Sequence, residues 1–435
     1  MKTISISLVL FSSAVFVTMT PWLAPALATQ VDASPLPIPE PAHSAFDFVN
    51  SIGVNTHLNY FDTQYGNFPF VSRELQRVGI HHLRDGVHLQ NADYNNALYG
   101  RWAALGKLGI RFDAVLDPRS KLGAITPALL EEVDRLSGHS IESFEGPNEL
   151  DISNMPDWPA VDRSFQQTIF KAAQSLPDRK ALELIGPSLA LARHAPALGD
   201  ISAYIDVGNL HPYPAAKPPS IIFPEQTDLA GIMSGTKGIV ITESGYHNGL
   251  RDHSDQPAVS EAPAARYITR LYLENFAHGI TRTYLYEFLD ESADSDLKSF
   301  QKHWGLIRSD GTEKPAFVAL KNLIAELNDS AEPAHRSSLT WSLNSADPHI
   351  HHLLLQKSSG ELDLVLWQEI PSYDEKSQTD IVNPNRPAVL TLAHKARSVA
   401  LYEPVVQADS MHTYTNVSQI KIEIPDHPLV IGITP

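Results

Sequence analysis

The chain has 435 residues, 43% of them hydrophobic and 19% charged, with a formal charge of −17 and no cysteine. That balance excludes a disordered chain, and the acidity argues against nucleic acid or an anionic membrane surface as a partner. Lack of cysteine excludes a disulfide framework, a zinc–thiolate site and a cysteine nucleophile, and the length calls for one large domain plus a smaller one.

Lys2 is followed by an apolar run from Ile4 to Val17 and a small-x-small site at Ala26-Leu27-Ala28. Residues 1–28 therefore read as a secretory signal peptide cut after Ala28, which implies a secreted or periplasmic bacterial protein. No later apolar run is long enough to span a bilayer. Residues 29–45 are proline-rich and read as an extended leader.

From residue 46 to 328 strand and helix signals alternate with a period of roughly 30–45 residues, the size of a βα unit. The strand candidates are Ser51–His57, His81–Arg84, Arg111–Leu116, Ile141–Phe144, Leu182–Ile185, Ile205–Leu210, Gly238–Thr242 and Arg282–Phe288. Thr126-Pro127 starts a helix with a hydroxyl cap and a first-turn proline, and Leu129, Leu130, Val133 and Leu136 follow at helical spacing. Ser260–His278 and the segment from Lys314-Pro315 to Leu327 read as two further helices. Eight strands with intervening helices predict an α/β fold, a (β/α)₈ TIM barrel. Short alternating runs separated by turns fill residues 335–435 and predict a C-terminal all-β sandwich domain.

Two barrel segments end at a glutamate: Phe144-Glu145-Gly146-Pro147-Asn148-Glu149 and Ile239-Val240-Ile241-Thr242-Glu243. Parallel barrels gather their chemistry at strand C-termini. Two carboxylates meeting there supply what glycoside cleavage needs, a proton donor and a nucleophile or base. His81-His82 and the histidines of His349–His352 sit on strand-like stretches, where alternation sends neighbours to opposite faces. No metal and no cofactor is expected.

Glu145-Gly146-Pro147-Asn148-Glu149 resembles the Glu-x-x-Asn-Glu signature of clan A glycoside hydrolases, and Thr242-Glu243-Ser244-Gly245 resembles the nucleophile segment of the same clan. The resemblance covers about residues 46–328, and the terminal sandwich resembles the one appended in family 39, with family 5 as the other candidate. It implies Glu149 as acid/base after the fourth strand and Glu243 as nucleophile after the seventh. It also implies that Arg84 keeps Glu243 charged, that Asn148 bonds the sugar 2-hydroxyl, and that His211 and Tyr213 belong to a His-x-Tyr segment whose tyrosine bonds the nucleophile. Asn55 and His57 after the first strand, Glu287 after the eighth and Trp304 in the closing turn complete the expected substrate-binding set. The implied protein is a secreted retaining hydrolase of β-linked polysaccharides or oligosaccharides, including bacterial exopolysaccharides. A transglycosylase and a non-catalytic glycan-binding protein on the same scaffold are the alternatives.

Overall fold

The computed structural model describes residues 38–177 and 179–435, so the expected signal peptide lies outside the described residues. Two short strands open the described chain, β1 (Ile38–Pro41) and β2 (His43–Ser44). Eight parallel strands follow: β3 (Ile52–Asn55), β4 (His82–Gly86), β5 (Arg111–Val115), β6 (Ile141–Glu145), β7 (Glu183–Ile185), β8 (Gly208–Leu210), β9 (Ile239–Ser244) and β10 (Thr283–Leu285). They pair in the order β7-β6-β5-β4-β3-β10-β9-β8, and a bridge between Ile185 and Val207 joins the two ends into a closed ring. This is the expected (β/α)₈ barrel.

A helix follows each strand, and local chemistry sets where several of them begin. Thr126 accepts the Leu129 N–H at 3.2 Å and Pro127 occupies the first turn, so the helix Pro127–Leu136 starts where the sequence puts it. The helices Glu261–Ala277 and Pro315–Leu327 also match their sequence signals. Inside the wall, Trp102 stacks on Phe112 with ring centroids 4.2 Å apart and contributes to the main core.

The C-terminal domain contains β11 (Ser338–Leu343), β12 (Ile350–Gln356), β13 (Leu362–Gln368), the ribbon β14 (Tyr373–Asp374) and β15 (Thr379–Asp380), β16 (Arg386–Tyr402), β17 (His412–Ile424) and β18 (Leu429–Thr434). β16 is one strand where the sequence reads two short runs, Ala388–Ala393 and Ser398–Tyr402. Its first part pairs β11 and its second pairs β18, with the register shift between Thr391 and Ala396. A bulge of this kind lets one long hairpin pass from one half of a sandwich to the other. Leu354, Leu364 and Leu366 from one half meet Leu390, Ile420 and Ile422 from the other in a single apolar cluster.

The leader reading needs correction over residues 38–44, while residues 29–37 lie outside the described residues. Ile38–Pro41 pairs antiparallel with β11, and His43–Ser44 pairs parallel with β12, so this stretch belongs to the sandwich. β1 lies at the end of its sheet, and an edge strand tolerates prolines whose missing N–H would face outward.

β13 is buried along its whole length because both of its faces are covered. Leu364 and Leu366 face the sandwich core, while Val365 and Trp367 join Leu353, Leu355 and Val430 in the barrel core. Polar contacts reinforce that junction: Trp367 Nε1 donates to Glu274 Oε1 at 2.8 Å, and Arg270 Nη1 donates to the Gln368 carbonyl at 2.6 Å. Among the described residues no helix is long and apolar enough to cross a membrane.

Candidate active site

The site forms at the C-terminal ends of the barrel strands, where the main chain must approach closely. A Cβ on Gly146 would lie 2.2 Å from Gln166 Oε1, and one on Gly245 would lie 2.4 Å from the Tyr286 carbonyl. Glycine is therefore required beside both glutamate segments. Glu149 itself has φ 48° and ψ 48°, a left-handed conformation that costs a non-glycine residue roughly 1–2 kcal/mol. Its loop is held by its surroundings. The Glu149 N–H donates to the Ser188 carbonyl at 3.1 Å, and the Asn148 N–H donates to Asp117 Oδ2 at 3.1 Å. Arg119, forked onto Asp117 at 2.8 and 2.7 Å, also donates to the Asn148 carbonyl.

Arg84, buried in the middle of β4, organises the centre. Its guanidinium reaches Glu243 Oε1 at 2.6 Å, Asn55 Oδ1 at 2.9 Å and Asn148 Oδ1 at 2.7 Å. Two parallel bonds of 2.7 Å tie it to Glu145, which is fully buried and serves as its counter-ion. Tyr213 donates to the other Glu243 oxygen at 2.8 Å. Burial pushes the Glu243 carboxyl upward, but the charges of His211 and Arg84 and the Tyr213 hydrogen bond outweigh it and hold Glu243 below the ordinary carboxylate range. Burial, together with the neighbouring carboxylates, keeps the Tyr213 phenol well above its usual range, so it remains a donor.

His211 links the two glutamates. Its Nδ1 lies 2.8 Å from Glu149 Oε1 and 3.6 Å from Glu243 Oε2. Its Nε2 lies 2.8 Å from Thr242 Oγ1, which donates to Asn209 Oδ1 at 2.8 Å and so accepts from the imidazole. Burial disfavours a charged His211, yet the charges of Glu243 and Glu149 raise it above its ordinary value. Oxygen and nitrogen atoms of Glu149, His211 and Glu243 lie within 4.8 Å of one another.

The expected site residues converge, but they occupy different layers. Glu149, Glu243, Asn148, Tyr213, His57 and Trp304 line the cleft. Asn148 uses its oxygen on Arg84 and leaves its amide N–H groups for the cleft. Asn55 sits one layer behind, with its amide on the Thr242 and Leu285 carbonyls at 2.9 and 3.3 Å. Glu287 is also behind the surface, fully buried and 3.2 Å from His57 Nε2. Burial raises Glu287 to about 7, with His57 opposing that rise. Burial disfavours the His57 cation, but the Glu287 hydrogen bond and charge lift it to about 9. Trp304 packs edge-on to Tyr213 at 5.0 Å and is 4% exposed.

The motifs do not single out Tyr286, Tyr60, Asp85 or Arg119, yet all line the cleft. Tyr286 carried one usable signal, its place directly after β10. It makes an edge-on contact with Trp304 and lies 3.3 Å from His57 through its hydroxyl. Tyr60 stacks flat on His57 at 4.6 Å.

Among the described residues three clusters are compact enough to hold an ion: Glu149–His211–Glu243, His57–Glu287–Glu291, and Glu326–Glu361–Asp363. Arg84 and Tyr213 already compensate the first, and Lys357 lies 3.7, 3.0 and 3.4 Å from the three carboxylates of the last. In the second, the carboxylates face the His57 cation.

No protein-family model and no curated protein matches the sequence. Solved structures do match the fold. A monomeric β-xylosidase from Caulobacter crescentus CB15 superposes with TM-score 0.59 at 13% identity, over 91% of this chain and 97% of that one. A GH39 enzyme from Xanthomonas axonopodis pv. citri gives 0.58 at 14% identity, over 92% and 96%. A glucosidase from Croceicoccus marinus gives 0.57 at 10% identity, over 91% and 97%. The expected likeness to family 39 is thus met for barrel and sandwich together, as a likeness of fold.

Proposed function

We propose that the protein is a retaining glycoside hydrolase acting on β-linked saccharides outside the cytoplasm, with Glu149 as acid/base and Glu243 as nucleophile. The observation that carries this reading is the closeness of the two carboxylates, whose oxygens fall within 4.8 Å through the shared His211. Retaining enzymes keep their carboxyl groups about 5–5.5 Å apart, whereas inverting ones leave about 6.5–9.5 Å for a water. The fold shared with a β-xylosidase and a glucosidase supports the same reading.

In the first step a Glu243 oxygen forms a bond to the anomeric carbon while the bond from that carbon to the leaving oxygen breaks. Glu149 gives its proton to the leaving oxygen. Arg84 and Tyr213 hold Glu243 ionised and aimed. His211 Nδ1 stands against Glu149 Oε1 and fixes the position of that carboxyl group. In the second step water attacks the anomeric carbon, its proton returns to Glu149, and Glu243 leaves as a carboxylate.

The test is the stereochemistry of the first product. A panel of 4-nitrophenyl β-glycosides is hydrolysed in an NMR tube, and the anomeric proton of the released sugar is followed from the first minutes. The β-anomer should appear first. Initial release of the α-anomer would overturn retention, and no turnover of this panel or of any β-linked polymer would count against the hydrolase.

A further inference from the structure

We propose that this site cuts inside a glycan chain rather than trimming a terminal sugar, an inference that rests on the glycosidase reading above. Two cavities of about 560 and 490 Å³ meet at Glu243. His57, Asn148 and Glu243 line both, so open space continues on either side of the nucleophile. An enzyme that removes end sugars needs a wall beyond the ring being cleaved, whereas both cavities are lined in part by side chains open to solvent: Arg119, 46% exposed, in the first and Ile152, 57% exposed, in the second. Cavities of about 300–1,000 Å³ take a drug-sized ligand, which is larger than one pyranose ring. Each cavity therefore has room for more than one sugar.

The residues assign a direction. Glu149 lines only the second cavity, with Tyr213, Tyr286 and Trp304. The acid must reach the leaving oxygen, so this cavity takes the reducing-end part that departs first. The first cavity lies over the ends of β3, β4 and β5, with Tyr60, Asp85, His88 and Arg119 on its walls. It takes the non-reducing part that stays bound to Glu243. Both cavities combine aromatic side chains with polar groups, the mixture that sugar faces and hydroxyl edges call for.

The experiment sizes the earliest products. The full chain is incubated with xylan, mixed-linkage β-glucan, β-mannan and laminarin, and with 4-nitrophenyl β-glycosides, and products are separated by length from the first per cent of reaction. Oligosaccharides of two or more units should appear before any free monosaccharide. Monosaccharide as the first product, or turnover of aryl glycosides with no internal cut in any polymer, would overturn internal cleavage while leaving the hydrolase standing. Inactivity on every substrate would remove both. Ser120→Trp, which fills the first cavity from its wall, should lower kcat/KM on a cleaved hexasaccharide at least tenfold more than on an aryl monoglycoside. Equal losses on the two would remove the assignment of that cavity.

Discussion

His211 Nδ1 lies 2.8 Å from Glu149 Oε1, although the two residues come from different barrel strands and the imidazole also faces Glu243 at 3.6 Å. One ring thereby fixes the separation of the carboxylates. It does so from full burial, with its other nitrogen on Thr242, the residue directly before Glu243. The spacing of the pair therefore depends on this side chain, while Arg84 and Tyr213 share the task of holding Glu243 ionised.

The assignment of roles gives the first prediction. Glu243→Gln should lower kcat roughly 10⁴-fold or more while sugar binding, read by calorimetry on a hydrolysed oligosaccharide, survives. Glu149→Ala should lose most activity on substrates with poor leaving groups, and azide should restore turnover on activated aryl glycosides. Near-normal kcat in Glu243→Gln would remove it as the nucleophile.

Arg84 is held by Glu145 and holds Glu243. Arg84→Met leaves both buried carboxylates without their cation, and breaking a buried pair costs about 3–5 kcal/mol. Arg84→Lys keeps the charge but loses the fork. Denaturant titration should rank Arg84→Met below Arg84→Lys. Because Arg84 is one of the charges that lower Glu243, the acid limb of kcat/KM should move to higher pH in Arg84→Met. An acid limb that stays in place would show that Glu243 is poised by something else.

Much of this was legible in the chain. All eight barrel strands announce themselves by their place in the alternation of strand and helix signals, and Thr126-Pro127 and Lys314-Pro315 mark helix starts because caps and first-turn prolines act locally. Strands at residues 38–44 were hidden, since prolines at 39 and 41 suggest an extended leader, and only pairing with β11 across the fold makes them a sheet edge. The charged stretch around Lys395 and Arg397 likewise disguises β16, because it falls at the register shift. Within the site, residues next to a motif could be found. Asp85 stands beside Arg84 on β4 and belongs with them, whereas Tyr60 and Arg119 could not be found, because they reach the cleft through loops whose course is set by tertiary packing. Depth was also invisible: nothing in the sequence tells that Asn55 and Glu287 stand behind the cleft wall.

His211 carries a pH signature. Its folded-state value is raised by Glu243 and Glu149, so its stabilising contribution is fully present below about 6.5, the unfolded value, and is lost as pH rises through the folded value. His211→Asn cannot titrate. The stability gap between the native protein and this variant, from denaturant melts at pH 5.5 and 8.5, should be larger at the lower pH. A gap that is constant or grows with pH would contradict the charge placed on His211.

His57 and Glu287 form an ion pair between about 7 and 9, the values to which the carboxyl and the imidazole are raised. Glu287→Gln removes the counter-charge and leaves the burial of His57 to dominate, so the imidazole should titrate far below 9. Carbon-13 spectra of histidine-labelled protein report this directly. An imidazole that still titrates near 9 in the variant would mean that Glu291 and Asp85, its other acidic neighbours, hold the proton.

The sandwich should be inseparable from the barrel, because β13 supplies Val365 and Trp367 to the barrel core. Trp367 is 1% exposed, and its indole N–H and His351 Nδ1 both meet Glu274 Oε1, at 2.8 and 2.6 Å. Trp367→Ala removes a large buried ring and one donor from a buried carboxylate, a loss of about 3–5 kcal/mol from the cavity alone. Trp367→Phe keeps most of the packing and should cost about 1–3 kcal/mol, the penalty of a buried acceptor that has lost a partner. If the two domains share one core, the native protein melts in a single calorimetric transition, and Trp367→Ala lowers that transition as a whole. Two separate transitions, with only the sandwich moved by the substitution, would show that the barrel stands without its partner.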